Sequence, residues 1–178
     1  LSLVYERQHG NGPLRLQLTK LGRVFTAELT PGKVRLLSDS DDGATTTELG
    51  SAALPAGARP LPVEFMNADY QVTVRVDGRD LIRTTPQQYS PDVAFLLDAS
   101  RRRETLPKPQ IRIGAEGQAC VLSHVSLWRD VYYTNYDPDS IASDIKWGIP
   151  TRPMQLKENE YWVLGDNSLM SGDGRYWG

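Results

Sequence analysis

The 178-residue sequence lacks two features that often identify a protein class at once. It has a single cysteine, so no disulfide can form within the chain. Cys120 lies in the apolar run 119–122, where we expect a small buried hydrophobe rather than a nucleophile. No apolar run approaches the roughly 18 residues that a membrane-spanning helix requires. The sequence therefore excludes an internal disulfide scaffold and predicts no membrane span within these residues.

Neither sign of charge dominates the chain. Twenty basic and 22 acidic side chains give a formal net charge of −2, which creates no strong field toward nucleic acid or anionic lipid. The basic run 101–103 is followed at once by Glu104, and we expect it to be a solvated loop rather than a binding patch. We therefore expect no nucleic-acid partner.

Motifs for metal and histidine chemistry are also scarce. In the turn at 39–43, acidic residues occupy positions one, three and four, with glycine at five. An EF-hand needs ligands at one, three and five with glycine at six. His9 and His124 each lack a neighbouring serine or aspartate motif, so we expect ordinary surface or core positions for both. The sequence predicts no metal and no cofactor.

Clean helical periodicity is missing over any stretch of twelve residues, whereas strand patterns are frequent. Asp77-Gly78 follows an alternating apolar run and is typical of a two-residue hairpin turn. Residues 50–62, rich in glycine, alanine and proline, are predicted as a connector. The predicted strands cover residues 14–18, 24–29, 33–37, 63–66, 70–76, 79–83, 93–97, 110–113, 120–129 and 161–164. This pattern predicts an all-β, antiparallel β-sandwich or barrel.

Two parts of this β-rich region carry a family resemblance. Residues 65–79, which include Val76-Asp77-Gly78, resemble the central hairpin of concanavalin-like, laminin-G-type sandwiches. Residues 111–115, followed by 125–133, resemble later strands of the same fold. The resemblance implies a jelly-roll sandwich over residues 1–134.

Many sandwiches of this type bind sugars, often with calcium. Tyr132, Tyr133 and Tyr136 stand beside Asp137 and Asp139, and such a group can form an aromatic-plus-acid sugar site. The alternative is a tyrosine-lined edge that packs against another domain, which we favour because Asp-Pro-Asp is a good turn.

The sequence closes with a dense polar cluster after an apolar run. From composition alone, it predicts a strand followed by a structured loop. Residues 161–167 and the later Ser171, Asp173, Arg175 and Trp177-Gly178 resemble the last conserved box of type I signal peptidases. The family often has serine at the position of Gly174. Leu169 and Met170, which come soon after Gly165-Asp166-Asn167, are also unusually apolar for the family. We assign residues 135–160 as a linker and 161–178 as this closing box.

The resemblance implies roles in a serine protease that uses lysine as its general base. Such a lysine must be neutral, so its pKa must be lowered by burial. Ser171 matches the position that orients this lysine, and Asp173 and Arg175 match a supporting ion pair. The family's turn that shapes the active site is matched in this chain by Gly165, Asp166 and Asn167.

Both members of the catalytic dyad are missing from this sequence. The family's nucleophile lies in a Ser-Met pair, and no methionine here follows a serine. Its base lies in a Lys-Arg pair, and none of the lysines is followed by arginine. The β-rich region directly precedes the closing box, and in that position it resembles the large insert of planctomycete-type signal peptidases. We expect the fragment to be inactive alone.

Two function classes remain open. In the first, the chain is the inserted domain and closing box of a membrane-anchored signal peptidase on the extracytoplasmic face of a bacterial membrane. Its partners are signal peptides of preproteins, and a membrane anchor, Ser-Met and Lys-Arg are expected upstream of Leu1. In the second, the chain is a stand-alone β-sandwich that binds carbohydrate or protein.

Overall fold

A computed structural model describes residues 1–40, 43, 45–55, 59–129, 153–164 and 174 of the chain. It has two compact units, Leu1–Trp128 and Arg129–Gly178. The boundaries predicted at 134 and 160 stay predictions. The described elements are β1 Ser2–Gly10, β2 Leu14–Lys20, β3 Arg23–Thr30, β4 Lys33–Asp39, β5 Thr46–Ala53, β6 Leu61–Ala68, β7 Gln71–Val76, β8 Arg79–Arg83, α1 Val93–Arg102, β9 Ile111–Ala115 and β10 Gln118–Ser126.

Two five-stranded antiparallel sheets form the first unit. Sheet I has the order β10-β1-β6-β7-β8, and sheet II has the order β5-β4-β3-β2-β9. β2, β3, β4 and β5 form a meander because each follows the last through a short connection. The prediction of an antiparallel β-sandwich is confirmed. Its closer relation to laminin-G-type sandwiches stays a prediction.

One apolar core holds the sheets together. Side chains alternate along each strand, so every second residue points to the same face. Leu14 and Leu16 of β2 are fully buried, and so are Phe25 of β3 and Phe65 of β6. These residues belong to a single cluster that also includes β1, β4, β7 and β8. Burial of each large apolar side chain stabilises the fold by about 1.5–3 kcal/mol.

The tight turns explain why neighbouring strands pair as they do. Asp77 and Gly78 both have positive φ, 54° and 74°, as the hairpin prediction requires. A second such turn is formed by Asp69 and Tyr70, at 47° and 58°. The prediction that Tyr70 begins a strand is therefore wrong. Its ring instead lies 5.3 Å from that of Tyr89, which closes one end of the core.

The predicted core strand at 93–97 is wrong, because these residues begin α1. Asp92 caps the helix, and its Oδ1 accepts a 2.9 Å hydrogen bond from the Phe95 amide. Val93, Phe95 and Leu97 are exposed rather than buried. A local cap and good helix formers thus outweigh a short apolar run, which by itself does not distinguish strand from helix.

The basic run 101–103 is exposed, as expected for solvated residues, but it is not a loop. Arg101 and Arg102 lie in the last turn of α1, and Arg103 caps it with φ of 53°. Arg102 also pairs with Asp98 one turn earlier, at 2.8 Å. Basic side chains are favoured there by the negative end of the helix dipole.

Two strands are absent from the sequence-based prediction. β1 was not predicted, and β5 covers part of the predicted connector at 50–62. Gly50 lies in β5 at a close approach between the sheets, because a Cβ there would be 2.9 Å from Ile82 Cγ2. Glycine in this strand therefore reflects close packing rather than a flexible connector.

Three smaller expectations also change. β10 ends at Ser126 rather than 129, and Cys120 is only partly buried. Residues 161–164, predicted as a strand, are not in one. Among the described residues, no helix has the length and apolar character needed to cross a membrane.

Gly12 provides a test of the contact between β1, β2 and the turn before β10. A Cβ at this position would lie 2.7 Å from the Glu116 carbonyl carbon and 2.9 Å from Gly117 Cα. We expect Gly12→Ala to lower the free energy of unfolding by about 1–3 kcal/mol, as overpacking against backbone does. Urea titration of the purified variant measures this change.

Gly114→Ala is the matched control. It lies on the neighbouring edge strand β9, and a Cβ there would have no heavy atom within 4 Å. We expect its stability to stay within about 0.5 kcal/mol of the parent protein. Equal losses in the two variants would contradict the close approach at Gly12.

Candidate functional site

The outer surface of sheet II carries polar side chains in register across its strands. Arg15 lies between Gly114 and Glu28, and Glu28 lies opposite Arg35. A neighbouring row places Gln17 between Arg112 and Thr26. We call this surface the polar face, and it comprises Arg15, Gln17, Thr26, Glu28, Arg35 and Arg112.

Glu28 is the centre of an ion-pair network on this face. Its Oε2 accepts a 2.9 Å hydrogen bond from Arg15 Nε, and its Oε1 accepts hydrogen bonds from Arg35. Arg15 also contacts Glu116 at 3.0 Å, and Arg35 lies 3.7 Å from Glu48. Charges therefore alternate along a row that begins beside β9 and ends on β5.

Burial differs sharply within the network. The Glu28 side chain is only 6% exposed, whereas those of Arg15 and Arg35 are 42% and 39% exposed. The guanidinium groups bond to both oxygens of the carboxylate, while part of each arginine side chain stays in contact with solvent. The network thus fixes two planar groups of hydrogen-bond donors at the surface.

Opposing effects set the pKa of Glu28. Burial raises it, but hydrogen bonds from Arg35 and Arg15, together with their charges, outweigh burial and lower the pKa below 4.5. The same hydrogen bonds raise the pKa values of Arg15 and Arg35. All three groups are therefore charged at neutral pH.

A small cavity lies at one end of the polar face. Its volume is about 230 Å³, and it is open to solvent. Two hydrogen bonds join Thr19 and Gln110, which both line the cavity. The Thr19 amide donates to Gln110 O, and the Gln110 amide donates to Thr19 Oγ1. We call it the cationic cavity, and it is lined by Gln17, Thr19, Gly22, Val24, Pro107, Lys108, Gln110 and Arg112.

The site residues predicted from the closing box and the tyrosine cluster lie outside the described residues. The same holds for Tyr136, Asp137 and Asp139. Their roles stay predictions. The predicted site residues outside the described ranges are Ser171, Asp173, Arg175, Gly165, Asp166, Asn167, Tyr132 and Tyr133.

Gly174 is the one described residue within the later half of the closing box, and it is buried. Its amide donates a 2.9 Å hydrogen bond to Val163 O. A Cβ at this position would lie 2.9 Å from that oxygen and 3.2 Å from Trp162 Cδ2. This crowding gives a physical reason for glycine where the resembling family often has serine.

His124 directly follows Ser123 in the chain, and the two side chains lie close together. Its Nδ1 lies 3.3 Å from Ser123 Oγ on the exposed side of β10. No carboxylate among the described residues contacts the ring, so nothing orients it for base catalysis. The described parts of the chain also contain no group of three or more metal-ligating side chains.

The buried carboxylate of Glu28 predicts a pH-dependent contribution to stability. We expect Glu28→Gln to lower the free energy of unfolding by about 1–3 kcal/mol at pH 7, because two arginines lose a charged acceptor. The folded pKa lies below the unfolded value, so this contribution is present above about pH 4.5 and is lost as pH falls through the folded pKa. Denaturant titrations from pH 7 to pH 3 measure the difference.

Glu64→Gln is the control for that experiment. Glu64 pairs with Arg75 at 3.2 Å on sheet I, but its side chain is 39% exposed. We expect a smaller change, because solvent screens exposed pairs. A Glu28→Gln deficit that stays constant down to pH 3 would contradict the ion-pair assignment.

Comparison with known proteins does not place the chain in a family. No family model matches it, and no curated protein matches it. Among solved structures, it is similar to sheep galectin-11 in complex with glycerol, with 12% identity and a TM-score of 0.38. The match covers 67% of this chain and 87% of that one. At this level of similarity, the sandwich architecture rests on the strand pairing itself.

Proposed function

We propose that the unit Leu1–Trp128 is a binding domain that recognises a carbohydrate on its polar face. The observation that carries the proposal is the network in which Arg15 and Arg35 are held by Glu28 while remaining partly exposed. Binding then requires little further ordering of these side chains, which reduces the entropy lost on association.

The chemistry of the polar face suits a ligand rich in hydroxyl groups. A guanidinium presents several donors in a fixed plane, and carboxylate oxygens such as those of Glu48 and Glu116 accept from hydroxyls. Gln17 donates to Thr26 Oγ1 at 3.1 Å, so its amide is also held in place. Donors and acceptors therefore alternate over a surface formed by several strands.

A protein partner is the less favoured occupant of this face. Protein interfaces usually have buried aromatic or aliphatic anchors at their centre. Most of the large exposed apolar side chains of the first unit lie on α1 and at β10, as with Phe95, Leu97, Val125 and Trp128. Ile113 of β9 lies opposite Leu16 and is therefore on the inward face of sheet II. The centre of the polar face is instead charged, which favours a hydrated, polar ligand.

A glycan array followed by calorimetry tests the binding function. We expect saturable binding to at least one glycan class and a loss of at least tenfold in affinity for Arg35→Ala, because one fixed group of donors is removed. Arg75→Ala is the matched control. Arg75 forms a comparable ion-pair cluster with Asp80 and Glu64, but on sheet I.

The comparison between the two variants decides the outcome. Both must unfold at a similar denaturant midpoint, so that a folding defect is not mistaken for lost binding. Equal losses for Arg35→Ala and Arg75→Ala, or the absence of any glycan ligand, would contradict the proposed face. Binding of a protein ligand that Arg35→Ala abolishes would replace carbohydrate with protein as the ligand class.

A second candidate function rests on the closing box of the sequence. We propose, as this alternative, that residues 161–178 belong to the catalytic domain of a type I signal peptidase and that the sandwich is its inserted domain. Ser171, Asp173 and Arg175 would then support a dyad located elsewhere in the protein. The location would be the extracytoplasmic face of a bacterial membrane, with signal peptides as substrates.

Peptidase assays test this alternative directly. We expect no turnover of a signal-peptide substrate by the purified chain, because no Ser-Met or Lys-Arg pair is present. The coding sequence upstream of Leu1 is expected to contain both pairs and a membrane anchor. Turnover that Ser171→Ala abolishes would show that the nucleophile is misassigned, and an upstream sequence without these motifs would remove the candidate.

A further inference from the structure

We propose that the cationic cavity binds the carboxylate of a uronic acid, so that the ligand of the polar face is an acidic polysaccharide. This inference rests on the proposed carbohydrate-binding function and specifies its ligand.

The cavity is continuous with the polar face. Gln17 and Arg112 belong to both, since they lie opposite each other on β2 and β9. Lys108 precedes Gln110, whose paired bonds to Thr19 fasten this segment to the end of β2. A polysaccharide on the polar face can therefore place one of its sugars in the cavity.

The cations of the cavity differ from those of the Glu28 network. Arg15 and Arg35 each pair with carboxylates. Lys108 and Arg112 form no ion pair with any residue in the described part of the chain, and both are exposed. Among the residues that the structure describes, no acidic side chain lines the cavity. Its positive charge is thus available to an external anion.

The remaining groups match a sugar that carries an acid. The amides of Gln17 and Gln110 and the Thr19 hydroxyl lie beside the two cations. Arginine can hold a carboxylate through two parallel hydrogen bonds, and amides can bind the adjacent ring hydroxyls. The volume of about 230 Å³ is smaller than the roughly 300–1,000 Å³ of drug-sized sites. It therefore suits one sugar unit rather than a whole ligand.

The distribution of charge also specifies the ligand. The Glu28 network has one more carboxylate than guanidinium, because Glu28, Glu48 and Glu116 accompany two arginines. A second acidic sugar directly over the network is disfavoured. We therefore expect a polymer in which acidic and neutral sugars alternate.

Calorimetric titration of the full chain with hyaluronan fragments tests the inference, because uronic acid and neutral sugar alternate in this polymer. The same fragments with carboxylates reduced to alcohols provide a neutral probe. We expect at least tenfold tighter binding of the acidic form. Lys108→Gln/Arg112→Gln should remove that preference, so that the acidic and neutral forms bind equally, while added salt should weaken only the acidic form.

Lys33→Gln/Arg101→Gln is the charge-matched control, since it removes two exposed positive charges outside the cavity. We expect it to keep the preference for the acidic form. An equal loss in both variants would overturn the inference, because general charge attraction would then explain binding. Tighter binding of poly-glutamate than of hyaluronan, lost in the cavity variant, would overturn it in favour of an acidic protein.

The outcomes also separate this inference from the proposed function. Equal binding of acidic and neutral fragments, weakened by Arg35→Ala, would refute the carboxylate site and leave carbohydrate binding in place. No binding of any polysaccharide, with all variants folded, would refute both proposals.

Discussion

The packing of the two sheets on one apolar core is the constraint on which the rest of the structure depends. Because Leu14, Leu16 and Phe25 must point inward, Arg15 and Glu28 must point outward. A slip of one residue would exchange the two sets and bury unpaired charges. The core therefore also fixes the geometry of the polar face, even though no core side chain takes part in it.

Local signals in the sequence account for part of this fold. Strands β2, β3 and β4 and the hairpin at Asp77-Gly78 were predictable, since alternation and turn residues lie close together in the chain. β1 is different, because it pairs with β6 and β10, which are distant in sequence. α1 escaped prediction because Asp92 can cap a helix or begin a turn, and only the surrounding structure decides between them.

The candidate site was present in the sequence but was not recognised. Arg15, Glu28 and Arg35 occupy outward positions of three consecutive predicted strands, and opposite charges on adjacent strands are a known stabilising pattern. Register was the missing information, since it decides which charges meet. The cationic cavity could not be predicted at all, because residues 107–112 reach β2 only through pairing across the sheet. The closing box remains a resemblance, because most of the residues that carry it lie outside the described residues.

Charge is distributed unevenly along the polar face. At its centre the charges are paired around Glu28, with one carboxylate in excess, while positive charge remains at the end where Lys108 and Arg112 line the cavity. Paired arginines act as fixed donors, and they carry little net attraction for an anion. Unpaired cations attract an anion but restrict its position less. A ligand with acidic groups at intervals uses both properties, because its charge determines where it lies and its hydroxyl groups determine how it is held.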